Sequence, residues 1–244
     1  MLQLHGYGEL LLQGTLLTIK LGITSLIFGL IFGLLGAAAK LSSVAVFRHM
    51  ANFYTTVIRG IPELLVVFAI YFGGDVLLSA IAKSVGYTGR VEIGSFWAGV
   101  MALSIMFGAY ATEVFRMAIS EIPKGQWESA QSLGMHPTQT FWRIILPQVW
   151  IVALPGLGNL ALVLLKDTAL VSLVGLKDVM YYGSRAGQST GQPFTFFVAV
   201  ALIYLCLTVV VTGVISLSEW RANPAARYAK KLSKTLKPQQ GSKA

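Results

Sequence analysis

Residues Glu128–Gln148 read ESAQSLGMHPTQTFWRIILPQ, a polar, glycine-broken stretch leading from the uncharged run Ile93–Thr112 into the uncharged run Ile144–Leu165. Pro123 and Gly125 precede good helix formers from Gln126 to Leu133. Gly134 is placed to end that helix, because glycine takes the left-handed conformation that costs other residues energy. Pro137 can then open a second helix, since its missing N–H would have no partner in a first turn anyway. The spacing therefore predicts a short helix, a sharp break, and a second helix running to Leu146 and Pro147. Ser129 and Ala130, both small, lie at the centre of the first helix and invite close docking by a partner surface.

The rest of the chain is written for lipid. Of 244 residues, 55% are apolar and 12% charged, the latter roughly half the ~25% usual in soluble domains. Leu21–Ala39 and Ala186–Ser218 also lack charge altogether, and such runs approach or exceed the roughly 20 residues a spanning helix needs. An all-α integral membrane protein follows, with spans expected at Thr15–Ala39, Phe53–Phe72, Ile93–Phe115, Ile151–Val174 and Thr195–Leu217. Ser25, Gly29 and Gly33 recur every fourth residue, a stripe that lets another helix approach closely. The start, MLQLHGYGELLLQG, has no basic segment before its apolar run, so the first helix is expected to be retained. A net charge of +9 reflects basic residues gathered at span edges and in the tail, which argues against nucleic acid as partner.

Lys and Arg accumulate on the cytoplasmic side of membrane proteins. Lys40 and Arg48, then Arg116, Lys124 and Arg143, then the tail from Arg221 to Lys243 share one side if five helices cross; the opposite loops carry Lys83, Arg90, Lys177 and Arg185. The N-terminus is thus expected outside and the C-terminus in the cytoplasm. Trp97, Trp150 and Trp220 fall near the expected boundaries, where amphipathic rings prefer to sit. Lys177–Pro193 reads as an external connection or a re-entrant element.

Charges inside spans ask for a reason, at about 2.5–3.5 kcal/mol each on insertion scales. Glu63 lies ten residues into the expected second span, near mid-membrane, and Glu113 toward the inner half of the third. Both suit a cationic substrate. Each also has a structural reading: Arg59 and Glu63 are in the i,i+4 relation, and Glu113 and Arg116 are three apart. Asp167 and Thr168 follow the fourth span beside Lys166, either as a structural contact or as lining for a substrate. The lone Cys206 and scattered His5, His49 and His136 offer no metal set and no nucleophile with its base.

Glu128-Ser129-Ala130, Gly134, Phe141, Ile144, Leu146 and Pro147 closely resemble the EAA motif of permease subunits in bacterial ABC importers, with Ser129 where that family usually has alanine. QGTLLTIKL, YTTVIRGIPELL, GAYATEVFR, LPGLGN and KDTALVSLVGLKDV are similar to the polar amino-acid branch, nearest the Q-type subunits of histidine, lysine, arginine and ornithine importers. That resemblance implies an ABC type I importer permease fold over residues 1–223 in the bacterial inner membrane. It implies a coupling loop at about 121–148 that docks an ATPase through Glu128, Ser129, Ala130 and Gly134, and a basic cytoplasmic tail over 224–244. It also implies an acid at Glu63 as a selectivity feature for basic amino acids, with Glu113, Asp167 and Thr168 as further substrate contacts.

The implied partners are a homologous permease, an ATPase dimer on the cytoplasmic side, a periplasmic amino-acid-binding protein and the membrane lipid. No cofactor is expected in this chain, which has no G-x-x-x-x-G-K-[ST] phosphate loop; ATP and Mg would be bound by the ATPase. No catalytic residues and no metal are expected. An ATP-independent transporter or channel using the same acids is the competing reading, and a membrane scaffold that only recruits a soluble partner is a third.

Overall fold

The apolar runs become helices almost throughout. The computed structural model describes residues 6–87, 89 and 92–222. In chain order its helices are α1 (Gly8–Lys40), α2 (Ala45–Gly60), α3 (Glu63–Ser84), α4 (Ser95–Glu121), α5 (Lys124–Ser132), α6 (Pro137–Thr140), α7 (Leu146–Asp167), α8 (Val179–Thr190) and α9 (Pro193–Ala222). A π turn, Phe141–Ile145, joins α6 to α7, and a 3-10 segment, Thr168–Val174, continues α7. Among the described residues, five stretches are long and apolar enough to cross a membrane: α1, α3, α4, the continuous Pro137–Val174 and α9. The basic tail expected at 224–244 lies outside the described residues.

The bundle is built on α4, where Ala102, Leu103, Ala109 and Ala111 are completely buried. Its closest partner is α1, and small residues explain the closeness. A Cβ on Gly29 would stand 2.6 Å from the Phe107 ring, and one on Gly33 equally close to the Ala111 methyl. The stripe expected from Ser25, Gly29 and Gly33 is thus the α1–α4 seam, and all three are buried. By contrast α3 buries only Val66 and Val67, and α9 only Phe196, Ala199 and Val200. Leu65, Phe72, Val76, Leu205, Val209 and Val214 stay exposed, as helices facing lipid tails or a second apolar chain require.

Two expected boundaries are corrected. The second span is not Phe53–Phe72: α2 ends at Gly60, Ile61 and Pro62 are extended, and a new helix starts at Glu63. Proline disfavours helical backbone in the residue before it, which places the break. Arg59 and Glu63 therefore sit on different helices and lose their i,i+4 relation, and Glu63 opens its spanning helix instead of lying ten residues into it near mid-membrane. The second helix of the quoted stretch does not stop at Pro147 either. The Leu146 N–H reaches back to the Phe141 carbonyl across the π turn, so Pro147 falls at the widened joint, where its missing donor interrupts little. Helix and fourth span are one unit from Pro137.

Lys177–Pro193, expected as a connection or a re-entrant element, holds α8. That helix packs Val179 and Ala186 against Leu11, Phe196 and Val200. Asp178 caps it, accepting from the Tyr181 N–H at 2.9 Å.

Candidate functional site

Three places concentrate the polar chemistry. The first is the elbow formed by α5 and α6. After α5 the Gly134 N–H donates to the Gln131 carbonyl and the Met135 N–H to the Ala130 carbonyl, with Gly134 at φ +75°. This pair of bonds closes a helix end around a left-handed glycine. Pro137 then opens α6, and the His136 ring accepts from the Thr138 N–H. Glu128, Ser129 and Gly134 are exposed, Ala130 is buried, and Leu133 is 82% exposed. The elbow thus presents a polar face with one bare leucine at its tip.

The second place is Glu113. Its Oε1 accepts from the Lys40 ammonium, its Oε2 accepts from Arg116 Nε at 2.9 Å, and Arg59 Nη1 stands 3.9 Å from Oε1. One carboxylate thereby ties the end of α1 to α4, with the end of α2 alongside. The structural reading of Glu113 with Arg116 is the one realised. Spacing could not have shown Lys40, which lies 73 residues away.

The third place is where α3 meets the 3-10 segment that continues α7. Glu63 occupies the first turn of α3, where the positive end of the helix dipole favours an acid. Asp167 is the last residue of α7, and it lines a small cavity with Met106, Phe107 and Tyr110. Its carboxylate is near enough to that of Glu63 for the two to repel. Met106–Tyr110 are the middle turns of α4, so Asp167 lies level with the centre of that buried helix. Lys166 acts on Asp167 as a neighbouring charge. Among the described residues, neither Glu63 nor Asp167 is in an ion pair.

Thr168, expected with them, is fully buried instead. Its hydroxyl donates to the Leu165 carbonyl at 2.6 Å and lies 3.2 Å from the Tyr204 hydroxyl. It knits the 3-10 segment to α9. A further acid, Asp178, went unnoticed in the sequence because an Asp before a helix reads only as a cap. It is completely buried, its Oδ2 has no hydrogen-bond partner, and burial pushes its carboxyl up to about 6. No group of three or more metal-ligating side chains forms among the described residues.

An elbow between spans, five apolar helices and an acid beside the middle of α4 suit a permease, and the family match decides it. Residues 25–223 match the binding-protein-dependent transport system inner membrane component family. The chain belongs to that family. It is 44% identical to the nopaline transport system permease protein NocQ of Agrobacterium fabrum, covering 91% of this chain and 94% of that one. It is 41% identical to the histidine/lysine/arginine/ornithine transport system permease protein HisQ of Salmonella typhimurium, covering 93% and 99%. Among solved structures, an amino acid ABC transporter crystallised with histidines matches with TM-score 0.73 at 33% identity, over 88% of this chain and 95% of that one. The MetNI methionine transporter in an inward-facing form matches with TM-score 0.69 at 19% identity, over 88% and 96%, which supports the fold. This family member is a multi-pass inner-membrane permease subunit of the ABC importers of polar amino acids. Its relatives are named as permease proteins of transport systems.

Proposed function

We propose that this subunit moves basic amino acids, the arginine, ornithine, histidine and lysine class, into the cytoplasm in an ATP-driven importer. The observation that carries the reading is Asp167 on the cavity beside Met106, Phe107 and Tyr110, with the Glu63 carboxylate within electrostatic range of it. Two carboxylates that repel each other gain when a cation arrives between them, and a basic amino acid brings a side-chain cation and an α-ammonium. Thr168 supports this site from behind, its hydroxyl being engaged with the protein. Glu113, engaged with Lys40 and Arg116, contributes through the position of its helices rather than by direct contact.

The N-terminus lies outside and the C-terminus in the cytoplasm, so the elbow faces a soluble ATPase dimer. Glu128, Ser129 and Gly134 present its docking surface, with Ala130 packed beneath it, within a permease domain spanning residues 1–223. A homologous permease covers the bare faces of α3 and α9, a periplasmic binding protein delivers the cargo, and this chain performs no chemistry of its own. ATP and Mg reside in the ATPase.

Uptake by the purified assembly in liposomes tests the reading. Arginine uptake is expected to need the binding protein and ATP. Glu63→Gln is expected to reduce it about tenfold, the equivalent of ~1.4 kcal/mol of lost binding, while the ATPase still co-purifies. Uptake without ATP would indicate a channel instead, and unchanged uptake in the variant would remove Glu63 from the site.

A further inference from the structure

We propose that Arg59 is a tethered competitor for the cationic cargo, parked on Glu113 in this arrangement and delivered to Glu63 and Asp167 when the Glu113 clasp opens. This deepens the reading above and rests on it. Arg59 is the last side chain of α2 before Gly60, and the extended Ile61 and Pro62 carry the chain into α3 at Glu63. In an unbroken helix Arg59 and Glu63 would face one another and pair. The break turns them apart, and the guanidinium instead lies 5.4 Å from the centre of the Tyr110 ring. Tyr110 also lines the cavity at Asp167. The same ring thus adjoins the parked cation and the cavity that Asp167 lines.

The hold on Arg59 is the loosest of the three at Glu113. Lys40 and the Arg116 Nε at 2.9 Å hydrogen-bond the carboxylate, while Arg59 stands off at 3.9 Å with its side chain 44% exposed. One carboxylate is shared among three cations, and two carboxylates nearby have no ion-pair partner among the described residues. A guanidinium is the group an arginine cargo presents, and its planar fork fits carboxylates bidentately. Exchange of access needs a difference in cargo affinity between two arrangements. A protein cation that reaches the acids in only one arrangement supplies that difference, because cargo leaves where Arg59 arrives. The clasp lies within reach of the elbow: α4, which carries Glu113, ends at Glu121, and α5 begins at Lys124. Glu113 is in this account a positioning residue, acting through Arg59.

The test is the concentration dependence of arginine uptake by the complete reconstituted importer, as wild type, R59Q, E113Q and the double variant. E113Q frees the competitor and is expected to raise KM several-fold. R59Q is expected to lower KM and also the maximal rate, since cargo then binds unopposed but leaves slowly. The double variant is expected to behave as R59Q. A KM increase from E113Q that is equally large without Arg59 overturns the proposal, as does an R59Q importer with unchanged KM and maximal rate. Should E113Q fail to assemble, the R59Q comparison decides alone. Uptake that depends on Glu63 but ignores Arg59 sinks this proposal only, whereas a wild-type importer that takes up no arginine sinks the assignment of cargo.

Discussion

Beside the ends of α1 and α2 one carboxylate, Glu113 of α4, serves three cations, whereas where α3 meets the 3-10 segment that continues α7 two carboxylates, Glu63 and Asp167, lie within electrostatic range of each other without an ion-pair partner among the described residues. Both places lie within or beside spanning helices, where an unpaired charge is costly. The first is the arrangement expected of a structural joint: the charge is matched and the contacts link separate helices. The second leaves a repulsion that folding alone gives no reason to keep, and such unmet local demands tend to mark function.

The sharpest way to break this contrast is to remove the joint. Glu113→Leu strands Lys40, whose side chain is only 9% exposed, and losing one partner of a buried pair costs about 3–5 kcal/mol. Since Arg116 and Arg59 are partly solvated, the low end is expected, read as a fall in melting temperature in detergent. The next effect concerns Asp178, whose carboxyl is raised to about 6 by burial. A raised acid binds its proton more tightly folded than unfolded, so stability should decline as pH climbs from about 4 to about 6, by roughly 2–3 kcal/mol at ~1.4 kcal/mol per pH unit. Asp178→Asn keeps the cap and should flatten that pH dependence; a melt profile unchanged by the substitution would show that Asp178 is not the group responsible.

Smaller again is Gly134→Val, which places a β-branched residue at φ +75° and costs about 1–2 kcal/mol for the left-handed backbone. Its expected readout is weaker retention of the ATPase during purification, with the spans intact. The smallest stability change is expected for Glu63→Gln, within about 0.5 kcal/mol, despite its large effect on uptake. A strongly destabilised Glu63→Gln would erase the contrast, because Glu63 would then be a structural acid like Glu113.

How much of this was legible in the sequence depends on the range of the signal. The elbow was readable because Gly134 and Pro137 act locally on the backbone, and the α1–α4 seam because Ser25, Gly29 and Gly33 repeat at helical spacing. The break before α3 had its signal in Pro62, but Val57, Ile58 and Ile61 lead so directly into the apolar run from Leu64 that the two helices look like one. Lys40 could be assigned only to a membrane face, since nothing in its neighbourhood points to Glu113. The meeting of Glu63 with Asp167 was likewise hidden, because it is made by the packing of α3 beside the end of α7. Asp178 shows the same limit: its capping role is local, while its burial is decided by α1 and α9.

The π turn at Phe141–Ile145 leaves the elbow and the fourth span without a hinge of loop between them. From Pro137 to Asp167 the backbone is one rod, roughly 45 Å long at 1.5 Å per residue, with Pro155 as a soft point in its interior. Any tug on α6 is therefore felt at Asp167 with little slack, and lengthening the rod by a single residue at the π turn would rotate that acid away from Glu63 by about a quarter of a revolution.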